Sequence, residues 1–414
     1  MKNPIKNIGP GTLIAAAFIG PGTVTVCTLA GVKFGFTLLW AMLLSIFATV
    51  VLQEMAARLG LVHGKGLANT VKQHIRHPVL KWTAVLLILA AILVGNAAYE
   101  AGNISGGVLG LQTLVPNTTI ALGSWDLNYL SIIIGGIAFA LLYVGNYKVI
   151  ERSLIAMVLV MSVSFLVTAI ITAPNMGAVL QGMFAPTVPD NGTFTIIALV
   201  GTTVVPYNLF LHASLVKEKW SGVAQLKAAR TDLYISILLG GLVSMAIIVC
   251  GAAIQGGGVG NAADLAKALE PLFGSFSKYF LGTGLFAAGI TSAITAPLAA
   301  AYVARGCFGW GTAESGKNKA LRSKRFRAVW IIILLLGIIF SSVGIKPITI
   351  IQFAQVANGL LLPVIAVFLV WAVNKRSVLG SYKNTLSQNV FGVLIIAATL
   401  VLGARSLLKV FGVL

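Results

Sequence analysis

The sequence predicts an all-α polytopic membrane protein, and three observations carry that prediction. The 414 residues are 58% hydrophobic and only 9% charged, with a mean hydropathy of +0.96. Apolar runs long enough to cross a bilayer recur from one end of the chain to the other. Two of those runs, the first and the sixth, are interrupted by proline in matched positions: Gly20-Pro21-Gly22-Thr23 and Val205-Pro206-Tyr207-Asn208.

The runs define eleven spans at 9–31, 36–59, 82–102, 129–147, 153–173, 193–216, 232–255, 279–303, 328–344, 349–373 and 388–409. None shows the sustained two-residue alternation of an outer-membrane barrel strand. The loops leave no room for a soluble domain, so 1–414 reads as one transmembrane domain. The segments 112–128 and 174–192, rich in Pro, Gly, Asn and Thr and nearly free of basic residues, read as loops on the outer side.

A formal charge of +19 would suit a nucleic-acid binder, but its placement excludes that class. All but six of the 29 Lys and Arg residues fall on alternate loops and the adjoining helix ends. The six are Lys33, Lys267, Lys278, Lys346, Arg405 and Lys409. This is the positive-inside pattern of an inner-membrane protein with a cytoplasmic N-terminus and an outer C-terminus. The bilayer is therefore a partner. The run 317–327 is read as part of that topology signal, with contact to anionic lipid as the alternative. Lys2 and Lys6 precede a long apolar stretch without a small-residue cleavage site, so the stretch is the first membrane helix and not a signal peptide. Cys27, Cys250 and Cys307 have no paired spacing and support neither a disulfide framework nor a zinc site. The glycine run from Gln255 to Gly260 lacks the Lys-Ser/Thr of a phosphate loop. No nucleophile–base arrangement is recognisable, which argues against an enzyme, and no cofactor is implied.

The two breaks locate the site. Backbone at membrane depth must satisfy its own hydrogen bonds, so interrupted helices survive only where they are buried in protein or line a polar cavity. Matched breaks in the first span of each half mark the central site of a secondary transporter. The helix N-termini beginning near Thr23 and Tyr207 present N–H groups that favour anions, and the preceding helix C-termini present carbonyls that favour cations. Thr202, Thr203 and Asn208 adjoin or occupy the second break and read as site lining. Glu100 is a carboxylate inside an apolar span, which is expensive and functional by default. His212, one turn past the second break, can relay protons. Glu54 pairs locally with Arg58 at i+4.

Several stretches together resemble the NRAMP (natural resistance-associated macrophage protein) family. They include Gly9-Pro10-Gly11, the break at 20–23, Phe34-Gly35-Phe36, Leu38-Leu39-Trp40, Ala57-Arg58-Leu59-Gly60 and Gly64-Lys65. Val205-Pro206-Tyr207-Asn208-Leu209-Phe210-Leu211-His212 resembles the family's sixth helix, usually MPHNLYLH. Ala287-Ala288-Gly289-Ile290-Thr291-Ser292 and Ala354-Gln355-Val356, with Pro363 eight residues beyond Gln355, resemble its eighth and tenth helices. The resemblance implies a LeuT-type fold: two inverted five-helix repeats, at about 9–173 and 193–373, with a peripheral helix at about 388–409. It also places the substrate among Gly20, Gly22, Thr23, Thr202, Val205, Tyr207, Asn208 and Gln355, and any proton coupling on Glu100 and His212.

The departures fall on the chemistry. The family's DPGN supplies an Asp and an Asn as metal ligands where this chain has Gly20 and Thr23. Its Met ligand is replaced by Val205 and the following His by Tyr207. The Asp-x-x-Glu pair of its third helix reads Ala97-Ala98-Tyr99-Glu100. A dehydrated divalent ion needs about six oxygen or mixed ligands, usually with a carboxylate, and these breaks offer none. The expected cargo is a small polar solute, of which a small oxyanion such as bicarbonate or a carboxylate is the leading class. The alternatives are a divalent cation carried hydrated, Mg²⁺-like and proton-coupled, or a non-transporting receptor or sensor.

Overall fold

The computed structural model describes residues 19–115, 117–123, 125–145, 148–220, 222–254, 259–310 and 323–410. Twelve helices carry the architecture. They are α1 (Pro21–Phe34), α2 (Leu39–His63), α3 (Pro78–Leu111), α4 (Tyr129–Val144), α5 (Lys148–Ile171), α6 (Thr193–Thr203), α7 (Pro206–Lys219), α8 (Leu226–Ala252), α9 (Ser277–Phe308), α10 (Lys324–Ser342), α11 (Pro347–Asn374) and α12 (Leu386–Val410). Among the described residues, nine helical segments are long and apolar enough to cross a membrane, with Tyr129–Val144 a shorter apolar helix. Each predicted span coincides with helix over its described residues, apart from span ends and the break at 204–205, the first span only over Pro21–Phe34. The first half of the first span, Lys2, Lys6, Gly9-Pro10-Gly11, Gln255 to Gly258, and Lys317, Lys319 and Arg322 lie outside the described residues.

Prolines set where helices begin. Pro21, Pro78, Pro206 and Pro347 each occupy a first-turn position, where a missing N–H costs nothing and the fixed φ suits the helix. Small residues set how closely helices pack. The carbonyl of Gly282 on α9 crowds Gly110 of α3, and the backbone of Gly107 crowds Gly289, so these two helices meet nearly backbone to backbone. Between the spans lie features that composition did not reveal. A short helix, Leu67–His74, joins α2 to α3, and Met176–Phe184 is helical within the predicted 174–192 loop. The predicted 112–128 loop contains an antiparallel hairpin, β1 (Thr119–Leu122) with β2 (Trp125–Asn128), registered with Thr119 opposite Asn128.

The apolar core falls into two large clusters, and along each of four helices the change from one to the other is made once. On α2 it lies between Ile46 and Ala48, on α3 between Ile104 and Tyr99, on α6 between Leu199 and Val200, and on α11 between Val356 and Leu362. Glu100, Asn103 and Asn358, all buried, lie where α3 and α11 pass from one cluster to the other, and Gln355 lies beside that point.

Candidate functional site at the paired helix breaks

Gly20 caps α1 in extended conformation (φ −81°, ψ 175°), and Pro21 opens the helix. Two residues of non-helical backbone, Val204 and Val205, separate α6 from α7, with Val205 extended and Pro206 at the first helical position. The two breaks touch through hydroxyls: Thr23 Oγ1 and Thr202 Oγ1 lie 2.9 Å apart, both buried. Gln355 of α11 closes the third side. Its amide occupies the space where a Cβ on Gly22 would go, and its backbone carbonyl fills the corresponding space at Gly201. Glycine is needed at Gly201, where the backbone of α11 stands in the way, whereas at Gly22 the obstacle is the Gln355 side chain. Gly22, Thr23, Thr202 and Gln355, predicted separately, are therefore one constellation.

The polar groups here exceed the hydrogen bonds they make. Among the described atoms, Asn208 Nδ2, Gln355 Oε1, Asn358 Nδ2 and Thr25 Oγ1 are buried without a protein partner. An orphaned buried polar atom costs about 1–3 kcal/mol, so each of these atoms could take up a hydrogen bond from a ligand or water. Thr203 turns back, donating to Leu199 O at 2.8 Å, and its hydroxyl also contacts Met42 Sδ at 3.6 Å. Val205 and Tyr207 are fully enclosed. The Tyr207 ring packs edge-to-face on Tyr99, with centroids 5.4 Å apart.

The two candidate proton-carrying residues lie to either side. His212 Nδ1 is 2.9 Å from Gln53 Oε1 of α2, in a buried pair. Glu100 is wholly enclosed, yet it does not face the breaks. Gly106 and Gly102 turn the facing side of α3 toward Pro21 and Ala354, whereas the Glu100 methylenes pack on Gly337 of α10. Asn103 Nδ2 donates to Glu100 Oε2 at 3.4 Å, and Oε1 has no partner among the described residues. Its neighbour Tyr99 is the α3 residue that reaches the second break.

Sequence reasoning missed Tyr99, Gln53 and Asn358. Asn358 had a readable signal: a second amide three residues after Gln355, on the same face of an otherwise apolar helix. Among the described residues, no group of three or more His, Cys, Asp or Glu side chains could hold a metal ion.

A second buried polar cluster lies toward the end of the bundle with the basic excess. Glu54 Oε2 accepts from Arg58 Nη2 at 3.0 Å, as the i+4 spacing predicts. Arg230 of α8 adds two donors to Oε1, from Nε at 2.9 Å and Nη2 at 2.6 Å. Arg58 also donates to Tyr382 O and Asn384 Oδ1, each at 2.7 Å.

The family model described as natural resistance-associated macrophage protein-like matches residues 11–409. The divalent metal cation transporter MntH of Verminephrobacter eiseniae is 25% identical over 415 residues, covering 98% of this chain and 89% of its own length. The crystal structure of the Eremococcus coleocola manganese transporter, in complex with an aromatic bis-isothiourea substituted compound, superposes with a TM-score of 0.76 at 19% identity. That match covers 97% of this chain and 85% of the other. MhsT in complex with L-phenylalanine superposes at 0.58 with 17% identity, covering 96% and 97%. At these identities the structural likeness speaks for the fold.

Proposed function

The chain belongs to the natural resistance-associated macrophage protein family, a family of membrane transporters with the LeuT-type fold, and on that premise we propose that it carries a small polar solute, with small oxyanions the leading class. The observation that carries this reading is that the polar side chains at the two breaks, Thr23, Thr202, Asn208 and Gln355, include no acid. Neither residues 1–34 nor residues 193–217 include an Asp or Glu, and Glu100 packs against α10 instead. Neutral ligands do not readily offset the dehydration of a divalent ion in a low-dielectric cavity. Two helix N-termini, at Pro21 and Pro206, and the unpartnered amide donor of Asn208 suit negative or neutral polar groups.

In this reading α1 and the α6–α7 pair rock against the remaining helices around the Thr23–Thr202 contact. The repeats run over about 9–173 and 193–373, with α12 peripheral. The protein sits in the inner membrane with its N-terminus cytoplasmic. Protons, where they move, use Glu100, whose second oxygen is free of protein partners, and His212, whose ring is bonded to Gln53.

A second reading is a divalent cation carried with its water. It draws on relatives named divalent metal cation transporters and on acceptors at the breaks, Gln355 Oε1 and the threonine hydroxyls. Uptake by the purified protein in liposomes, comparing Mn²⁺, Mg²⁺ and a panel of small anions, separates the two. The expected result is saturable uptake of an anion or neutral solute that Asn208→Leu abolishes. Saturable Mn²⁺ uptake lost on Thr23→Ala overturns the proposal. Glu100→Gln should remove substrate-linked internal acidification; unchanged acidification takes Glu100 out of the pathway.

A further inference from the structure

We propose that the basic end of α10 binds the phosphate of an anionic glycerophospholipid, one acyl chain of which lies in a groove between α3, α10 and α11. The groove has a volume of about 850 Å³, and its walls include Leu93, Ala97 and Ala98 of α3, Val329 and Leu336 of α10, and Phe353 of α11. Much of this wall is exposed; Phe353 is 72% accessible. In a chain that spans the bilayer, such a surface meets lipid tails.

The feature that makes the groove selective is what lies at its end. Along α10 the lining residues Phe340, Leu336, Ile333, Ile332 and Val329 recur at helical spacing. One turn further on the same stripe is Arg325. Its guanidinium sits 6.0 Å from the centre of the Trp310 ring. Arg305 Nε donates to Trp310 O at 3.1 Å, and Lys72 Nζ would lie 3.2 Å from a Cβ placed on Gly309. Phe308 and Trp310 stack at 4.8 Å, forming a flat aromatic turn beneath the cations. Three positive side chains from three separate elements thus gather around one turn. Among the described residues none of them has an acidic partner within ion-pair distance.

Positive charge without an acidic partner among the described residues, beside an indole and one turn beyond the groove along α10, is complementary to one amphiphile: a lipid with a negative headgroup. Arginine suits phosphate through its planar fork of donors, and the aromatic–cation pairing suits the headgroup level of the membrane. Each basic residue near an anionic lipid surface is worth about 1 kcal/mol, which is roughly fivefold in binding.

The full-length protein in detergent, titrated separately with short-chain phosphatidylglycerol, short-chain phosphatidylcholine and inorganic phosphate and followed by native mass spectrometry, tests the assignment. The wild type should prefer phosphatidylglycerol to phosphatidylcholine. The double substitution Lys72→Gln/Arg325→Gln should reduce that preference about thirtyfold. Ala98→Phe, which fills the groove, should weaken both lipids and leave the headgroup preference intact. Equal affinity for the two lipids, an undiminished preference in the double variant, or inorganic phosphate binding as tightly as phosphatidylglycerol would each overturn it. Size-exclusion profiles matching the wild type establish that both variants are folded.

Discussion

Two polar clusters are buried in this bundle, one at the helix breaks and one toward the basic end, and they differ in how far their hydrogen-bonding capacity is used. At the basic end both Glu54 oxygens are taken by guanidinium groups from α2 and α8. Arg58 reaches on to Tyr382 and Asn384, and Asn384 continues to Asn389 at 2.8 Å and so to Asn374. Such a network fixes the register of helices far apart in sequence. At the breaks a hydroxyl contact, Thr23–Thr202, joins two helices while the amides of Asn208, Gln355 and Asn358 each keep an atom unpaired. In the first cluster only Arg58 Nε is left unpaired among the described side-chain atoms of Glu54, Arg58 and Arg230, whereas in the second each of three amides keeps an unpaired atom.

If this contrast is right, substitutions in the two clusters should separate stability from transport. The largest expected effect is Glu54→Ala, which strands a buried Arg58 guanidinium and should cost about 3–5 kcal/mol, read as a lowered unfolding midpoint in detergent. Next is Gly201→Ala, whose methyl group would overlap the Gln355 carbonyl and force α6 away from α11. A loss of about 1–3 kcal/mol is expected, together with loss of uptake. A double-mutant cycle of Thr23→Val and Thr202→Val should give a coupling of about 1 kcal/mol; zero coupling would mean that the hydroxyl contact does not join the breaks. Smallest in stability is Asn208→Leu. Removing an orphaned donor should leave the unfolding midpoint unchanged or slightly raised while uptake disappears. An Asn208→Leu protein that unfolds early and still transports would reverse the comparison.

The ten later spans and the second break were legible because their signals are local: apolar length, and a proline at the start of a half-helix. The direction in which α3 points its side chains was not. That helix is apolar nearly all round, so its sequence carries no facing, and the neighbours Tyr99 and Glu100 project about 100° apart. Only the glycine contacts with Pro21, Ala354 and Gly337 show that Tyr99 faces the break and Glu100 faces α10. Arg230 was missed as a partner of Glu54 for a related reason: 176 residues separate them, and only the packing of α8 on α2 brings them together. The hairpin at 119–128 was concealed by a stretch that reads as loop by composition.

Gly20, Thr23 and Val205 leave the two breaks without the side chains that would hold a dehydrated metal. Gly20 has an extended backbone that any residue can adopt, so the ligands of the family pattern can be put back. The most direct test is Mn²⁺ uptake into liposomes by the wild type and by the triple variant Gly20→Asp/Thr23→Asn/Val205→Met. The account predicts no saturable Mn²⁺ uptake by the wild type and measurable saturable uptake by the variant. Saturable Mn²⁺ uptake by the wild type, abolished by Thr23→Ala, would contradict it.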